Sequence, residues 1–415
     1  MCVLNRVRKQ DCCGCGACVN ICPKQSLELK EDKEGFLQVK LAQNNCIQCG
    51  ICEKACPVIN SPEEKEKEIK AFAVRNTDQE QRLQSSSGGV FAALAQEVLE
   101  EGGIVCAARF DKDFSIIHDF CQTKEELPQY MGSKYVQSDL RDCFKKIKDY
   151  LNNNTKLLFV GTPCQVMALK LYLRKEYENL LAIEIVCHGV SSPLAWRKYL
   201  LEICKRKHIG LDDIKHISFR NKDKSWRVFN LKIEGKTNTI LKENLYDNLF
   251  LRGFLRNLFL RPSCHNCPAK NFKSNADLSL ADYWGIDRFH PEMDDNKGVS
   301  AVLCYNEKIN LEEISKKQRK IGEKQRKNEI KQRKNETILE IKSTNLENIL
   351  ANNSALLHCV APHKDREQFF EALQTQDIVP LLNKYVGEAK TDKIKRKTRF
   401  ILSDIKSMII KKGGF

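Results

Sequence analysis

Several familiar signatures are missing from this 415-residue sequence. No apolar run approaches the ~18 residues needed to cross a bilayer. The longest candidate, Leu180 to Val186, is interrupted by Glu184, so no membrane-spanning segment is expected. The opening stretch alternates charge and cysteine without the apolar core of a secretory leader, so a reducing, cytoplasmic setting is expected. No G-x-G-x-x-G or P-loop fingerprint occurs. A nucleic-acid groove, with basic residues interleaved among aromatics, is also lacking. The net charge of +15 sits mainly in two places. Residues 312–342 carry eleven Lys/Arg against six Glu, and residues 384–415 carry ten basic against three acidic side chains. A nucleic-acid partner is therefore not expected.

Cysteine is what the sequence has in excess, at 20 residues. In a reducing compartment, clustered cysteines point to metal ligands rather than disulfides. Cys12, Cys15, Cys18 and Cys22-Pro23 follow C-x2-C-x2-C-x3-C-P, and Cys46, Cys49, Cys52 and Cys56-Pro57 repeat it. Three thiolates on one tight loop reach three irons of a 4Fe-4S cubane, and the fourth comes from elsewhere. In the two-cluster arrangement the fourth ligands are exchanged. Cys12, Cys15 and Cys18 would then bind one cluster with Cys56, and Cys46, Cys49 and Cys52 the other with Cys22. Gly14, Gly16 and Gly50 let the backbone curl close to the sulfurs. A pair of zinc sites is the competing reading. Cys13 breaks no spacing and reads as a bystander.

Composition divides the chain. Residues 1–60 form a cysteine-rich domain and 61–70 a charged linker. From Ala71 to about Tyr305, strand-like apolar runs alternate with helix-period segments, the α/β signature. The expected architecture is an α+β dicluster ferredoxin domain, then an α/β catalytic module over 71–155 and 156–311, a charged insertion over 312–342, and a basic helical C-terminal tail over 343–415. Gln-Arg-Lys recurs at Gln318, Gln325 and Gln332, but Asn328 and Asn335 break the apolar phase. A solvated charged helix or a disordered insertion suits this better than a coiled coil. Trp226 to Glu234 and Asn238 to Glu243 flank Gly235-Lys236 as a hairpin.

Ser85-Ser86-Ser87-Gly88-Gly89 precedes a helix with Val90, Leu94 and Val98 on one face, a loop capped by serines and a candidate seat for a cofactor phosphate. Lys156 to Val160 reads as a strand, the segment after Gly161-Thr162-Pro163-Cys164 as a helix, and Leu180 to Val186 as a second strand ending at Cys187. A right-handed crossover makes the strands parallel, so Cys164 and Cys187 share the carboxyl edge of the sheet, where open α/β sheets bind ligands. Cys264 and Cys267 add a C-x2-C. Together the four thiolates suffice for a third cubane. Buried structural cysteines beside a remnant C-x2-C would explain the same residues.

Several stretches together resemble the coenzyme factor-420 hydrogenase/dehydrogenase beta subunit family, fused to an N-terminal dicluster ferredoxin domain. They are Ser-Ser-Ser-Gly-Gly at 85–89, Gly-Ser-Lys-Tyr-Val-Gln-Ser at 132–138, Gly-Thr-Pro-Cys-Gln at 161–165 and Cys-His-Gly-Val at 187–190. Cys264 to Lys270, Ala276-Asp277, Asp282-Tyr283-Trp284-Gly285 and Lys297-Gly298 follow in the same order. The resemblance implies an FAD-containing module with its own 4Fe-4S cluster on Cys164, Cys187, Cys264 and Cys267. It departs from the family at Ala281, where a glycine is usual, and at Cys106, where an aromatic is expected.

The expected function is an iron–sulfur flavoprotein oxidoreductase. It would move electrons between a ferredoxin-like carrier or redox partner enzyme and an organic hydride substrate, a deazaflavin or another molecule. Ser86, Ser87, Gly88, Gly89, Gly161, Thr162, Pro163, Gln165 and Trp284 are the candidate FAD contacts, and Lys134, Asp282 and Lys297 the candidate catalytic residues. A non-catalytic electron relay, with clusters and no flavin, is the rival. In the tail, Ile401, Ile405, Met408 and Ile409 share a helical face ringed by Lys395, Arg396, Lys397, Arg399, Lys411 and Lys412. That pattern suits an interfacial helix at the inner membrane surface, a partner-docking helix or a core-packed helix alike.

Overall fold

The computed structural model describes residues 2–63, 68–311, 313 and 338–388. The two cysteine runs flank an antiparallel hairpin of β1 (Leu27–Glu31) and β2 (Leu37–Leu41). Each run turns into a short helix, Ala17–Ile21 or Ile51–Lys54, through a glycine at left-handed φ, Gly16 at 73° and Gly50 at 72°. Glycine adopts that conformation without a Cβ penalty, which lets one loop turn its thiols inward.

The next strands in chain order are β3 (Lys70–Asn76), β4 (Ile104–Phe110), β5 (Ile116–Cys121), β6 (Leu157–Gly161) and β7 (Leu180–Ile185). They are followed by β8 (Ile214–Asn221), β9 (Asn230–Gly235), β10 (Thr239–Asn244), β11 (Leu278–Asp282), β12 (Ser300–Cys304) and β13 (Leu339–Thr344). Eight form one sheet in the order β13-β3-β12-β11-β7-β6-β4-β5, and β10-β9-β8 form a small antiparallel one. Within the large sheet β4, β6, β7 and β11 run parallel, while β5 and β12 run against their neighbours. The expected α/β module is thus a mixed sheet. The link from β4 to β5 is too short for a crossover, so the chain can only return antiparallel.

Strand alternation separates the two faces. Val105, Ala107, Leu158 and Val160 pack with the helix Val90–Glu100 on one side. Cys106, Leu157 and Phe159 pack on the other with the helices Cys143–Asn152 and Pro163–Leu173, where Ala17 of the first domain joins them. A separate core joins the small sheet to the helices Pro193–Lys207, Leu249–Leu255, Arg366–Leu373 and Ile378–Val386. Phe36, from the turn of the β1–β2 hairpin, is fully buried in that core. Its burial contributes about 1.5–3 kcal/mol to docking the domain.

Three local expectations are revised. The helix Val90–Glu100 is capped by Gly89 at φ 83°, with no side-chain cap, so the serines before it are not its cap. The hairpin is β9 with β10 and begins at Asn230, while Trp226 is fully buried outside it. Residues 338–388, expected as the end of the insertion and the start of a tail, belong to the folded body, with β13 paired to β3. The Gln-Arg-Lys heptads and the apolar face at Ile401 to Ile409 lie outside the described residues. Among the described residues no helix is long and apolar enough to cross a membrane.

Candidate functional site

The first domain gathers its thiols in two sets. Cys56 and Cys12 act electrostatically on the Cys15 thiol and Cys12 on that of Cys56, so Cys56 of the second run stands with cysteines of the first, while Cys18 feels Cys15, Cys12 and Cys56 and, from the other set, Cys52. Cys22 of the first run lines a recess with Cys46, Cys49 and Cys52, bordered by Cys2, Lys24, Ile47 and Gln48. Backbone N–H groups point at these sulfurs: Gly14 to Cys12, Ser26 to Cys22 and Val3 to Cys52, each at 3.4 Å. At Cys22 such donors, acting against burial, draw the thiol down toward the thiolate, the form that binds metal.

A third set forms at the carboxyl edge of the parallel strands. Thr162 and Gln165 close a capping box on the helix Pro163–Leu173 and so fix Cys164 in its first turn. Gly161 lies against Gln165, where a Cβ would approach its side chain to 3.1 Å. Gln165 also donates to Ser138 at 2.9 Å. Gly161, Thr162, Pro163 and Gln165 therefore set the position of Cys164. Beyond β7 the chain pairs with the segment before Cys264: Arg261 N–H donates to Val190 at 3.0 Å and Ser192 N–H to Phe259 at 3.0 Å. Val190 N–H reaches Cys264 Sγ at 3.4 Å, and Lys270 Nζ donates to the Cys187 carbonyl at 2.6 Å. These bonds bring Cys187 beside Cys264 and Cys267.

Burial, then the crowding of neighbouring thiols, pushes Cys187 up to about 12. Burial raises Cys264 to about 11, with Cys164 adding to it. A set of crowded, desolvated thiols cannot ionise together unless metal shares the charge. Among the described residues no group of three or more His, Cys, Asp or Glu is spaced to close on a single ion. Thiolates around a cubane each meet a different iron, so they stand further apart than ligands of one ion.

Two cysteines outside the predicted sets stand beside the third. Cys13 is buried, and its thiol lies close enough to Cys164 for each to shift the ionisation of the other. That contact, with Thr162 and Arg261 assisting against burial, draws Cys164 down to about 7. Cys13 is therefore no bystander in the fold. Cys359 accepts a hydrogen bond from Cys267 N–H at 3.1 Å. Neither contact was readable from spacing, since each joins distant parts of the chain.

The other predicted residues meet further along the same edge. Ser86 Oγ contacts Ser133 Oγ at 2.7 Å, Ser87 Oγ donates to Val299 at 2.7 Å, and Gly88 N–H donates to Ser300 Oγ at 3.0 Å. Gly88 could not carry a side chain, because a Cβ would lie 2.4 Å from the Val74 carbonyl. Lys134 donates to Met131 and Gly132 carbonyls, and burial draws its ammonium down to about 7. Asp282 pairs with the buried Arg220, which lies 5.7 Å from the ring of Trp284. Trp284 stacks on Trp226 at 4.9 Å. Among the described residues Asp282 Oδ1, Arg220 Nε and Trp226 Nε1 are buried without a hydrogen-bond partner, and an isoalloxazine ring offers matching donors and acceptors along its polar edge.

Lys297 is placed differently from the expectation. Its ammonium donates to Gln79 at 2.8 Å, and only its backbone carbonyl takes part at the sheet edge. The lysine that ties these loops together is Lys222, whose ammonium donates to the carbonyls of Arg82 at 2.6 Å, Ser87 at 2.8 Å and Lys297 at 2.8 Å. Burial, with Arg220 and Arg82 nearby, lowers it to about 7. Lys222 and Arg220 sit in a charged stretch that reads as surface, so no sequence signal marked either.

Comparison with known families places three matches on this frame. Residues 11–60 match the 4Fe-4S dicluster domain. For the beta chain of coenzyme F420 hydrogenase/dehydrogenase, residues 71–145 match the N-terminal family model and residues 154–348 the C-terminal one. The second of these extends past the expected boundary at 311 to take in β13. No curated protein matches. Among solved structures, a chain of the F420-reducing NiFe hydrogenase complex from Methanosarcina barkeri is similar at 17% identity and a TM-score of 0.43, covering 77% of this chain and 91% of that one.

Proposed function

Starting from the coenzyme F420 hydrogenase/dehydrogenase beta subunit family, to which the chain belongs through models that together match more than half of it, we propose that it is an iron–sulfur flavoprotein oxidoreductase. It exchanges electrons with a ferredoxin-like carrier or redox partner enzyme at its dicluster domain and with an organic hydride substrate, a deazaflavin or a related molecule, at the sheet edge. One observation carries this reading: Cys164, Cys187, Cys264 and Cys267 stand together at the carboxyl edge of the parallel strands, beside Cys13 of the dicluster domain. A thiol set with no route to the dicluster pair would serve structure alone.

The loops of Ser86 to Gly89 and Ser133 to Lys134, with Asp282, Arg220 and Trp284, are the residues that would hold FAD. FAD supplies the change of electron number, two at a time with a hydride partner and one at a time with a cluster. The protein's part is positional. Lys222 fixes the Ser87 and Lys297 backbones, Arg220 orients Asp282, and Lys134, with its proton held loosely near neutral pH, is suited to exchange one with a bound substrate.

Iron, sulfide and flavin quantitation on anaerobically reconstituted protein tests the reading. About twelve irons and one FAD per chain are expected, against about eight irons and none for a plain relay. Full cluster loading with no flavin overturns it. Peripheral membrane contact through residues 393–415 is a separate proposal: flotation with anionic liposomes should be lost on truncation at Asp392, and equal flotation removes it.

A further inference from the structure

Arg261 is 1% exposed, yet among the described residues it has no carboxylate partner. Its acceptors are neutral. Nε donates to the Cys12 carbonyl at 2.7 Å, Nη1 to Gln137 Oε1 at 2.8 Å and Nη2 to the Leu37 carbonyl at 2.8 Å. The guanidinium also lies 5.4 Å from the Phe36 ring. Two of those three bonds cross from the sheet module to the dicluster domain, and Gln137, which takes the third, itself donates to the Cys13 carbonyl at 3.3 Å. Three residues further along the chain is Cys264, whose N–H donates to the Arg261 carbonyl at 3.0 Å.

A buried charge is retained only when something of opposite sign is near. The candidates around Arg261 are thiolates: the Cys12 loop on one side, Cys164 and Cys264 on the other, and its charge acts on both of the latter. A cubane held by four thiolates is anionic and becomes more so on gaining an electron, so a fixed cation beside it favours the reduced form.

We propose that Arg261 is a positioning residue for electron transfer between the dicluster domain and the third cysteine set. Its fork holds the Cys12 loop against that set, and its charge acts as counter-ion to the third cluster and makes it easier to reduce. The step it serves is the passage of one electron from one cluster to the other, with no bond made or broken. The inference rests on the reading that Cys164, Cys187, Cys264 and Cys267 hold a cluster.

Arg261→Gln and Arg261→Lys, in the full reconstituted chain, test it. The readouts are iron content, cluster potentials from spectroscopically monitored redox titration, and electron redistribution after pulse reduction. In Arg261→Gln the third cluster's one-electron equilibrium should move at least tenfold toward the oxidised form, about 59 mV, while the cluster on Cys22, Cys46, Cys49 and Cys52 keeps its potential. Arg261→Lys should keep most of the potential and lose the fast intramolecular phase. A fully loaded Arg261→Gln with an unmoved potential overturns the proposal. If that variant loads fewer irons, Arg261→Lys decides: a native fast phase overturns the proposal, and a lost one supports it. Parent protein with only two clusters would instead defeat the underlying reading, which keeps the two failures distinct.

Discussion

The thiol set of Cys22, Cys46, Cys49 and Cys52 and that of Cys164, Cys187, Cys264 and Cys267 are chemically alike and differently placed. The first opens to the surface at Cys49: that cysteine is exposed while Cys52 is buried, Ile47 beside it is 58% exposed, and the loop from Leu41 to Gly50 carries no charged residue. The second lies where the dicluster domain meets the sheet, with none of its four cysteines exposed and each of them partly buried, and desolvation is the main influence on Cys187, Cys264 and Cys267. A centre with an exposed ligand loop suits exchange with a diffusing protein, and one set back at a domain junction suits exchange with a cofactor held in the fold. The difference assigns the port and the chemical end to opposite ends of one relay in the proposed function.

The comparison breaks most completely at the junction set. Cys264→Ser with Cys267→Ser should lower iron from about twelve to about eight per chain and leave the N-terminal pair bleachable by dithionite. Unchanged iron would remove the third cluster. Next is Asp282→Ala, which strands the buried Arg220 charge at a cost of about 3–5 kcal/mol. An anaerobic melt should show a large drop in Tm, with flavin lost on gel filtration, and the double variant Arg220→Met with Asp282→Leu should regain much of the Tm.

The junction between the two ends is tested by Gly14→Ala. Gly14 has φ 65°, and a Cβ there would lie 2.7 Å from both the Leu37 carbonyl and Gln137 Nε2. The strain is about 1–3 kcal/mol and should appear as a lower Tm together with easier proteolytic release of the first domain. A native Tm would mean that the junction is looser than its contacts imply.

The effect of pH is smaller. Burial lowers Lys134 from its ordinary 10.5 to about 7, so between these values the unfolded chain holds a proton that the folded chain has shed. Stability therefore rises with pH across that window, and the penalty is full below pH 7. Lys134→Met should gain Tm over the parent most at or below neutral pH, with the gap closing as pH rises. A gap independent of pH contradicts this. At the port, Ile47→Asp should change stability by less than about 0.5 kcal/mol. It should slow reduction by a protein carrier while leaving reduction by dithionite as it was. Equal slowing by both reductants would locate the effect in the cluster instead of the docking surface.

Legibility followed sequence distance. The dicluster motif could be read because its ligands fall on two short loops at fixed spacing, and β6 and β7 because their apolar runs end at glycine or cysteine. The serine loop is legible but its cap is not, since Gly89 takes a left-handed conformation that no serine side chain has to cap. Motif alone groups Lys297 with Lys134 and Asp282, whereas its ammonium turns to Gln79 and Lys222 occupies the position between the loops. Arg261 bonds a carbonyl 249 residues away, a distance over which no local pattern carries information.

By itself the sequence determined the cluster-binding chemistry of the first domain and the presence of strands that deliver Cys164 and Cys187 to one edge, because these depend on ligand spacing and on apolar periodicity within single elements. The tertiary structure decided which thiols share a set, that Cys13 and Arg261 stand between two of them, and that residues 338–388 complete the body rather than trail from it. Those are outcomes of packing between elements far apart in the chain: a buried cation or a crowded thiol is defined by what surrounds it, and its surroundings exist only once the chain has folded.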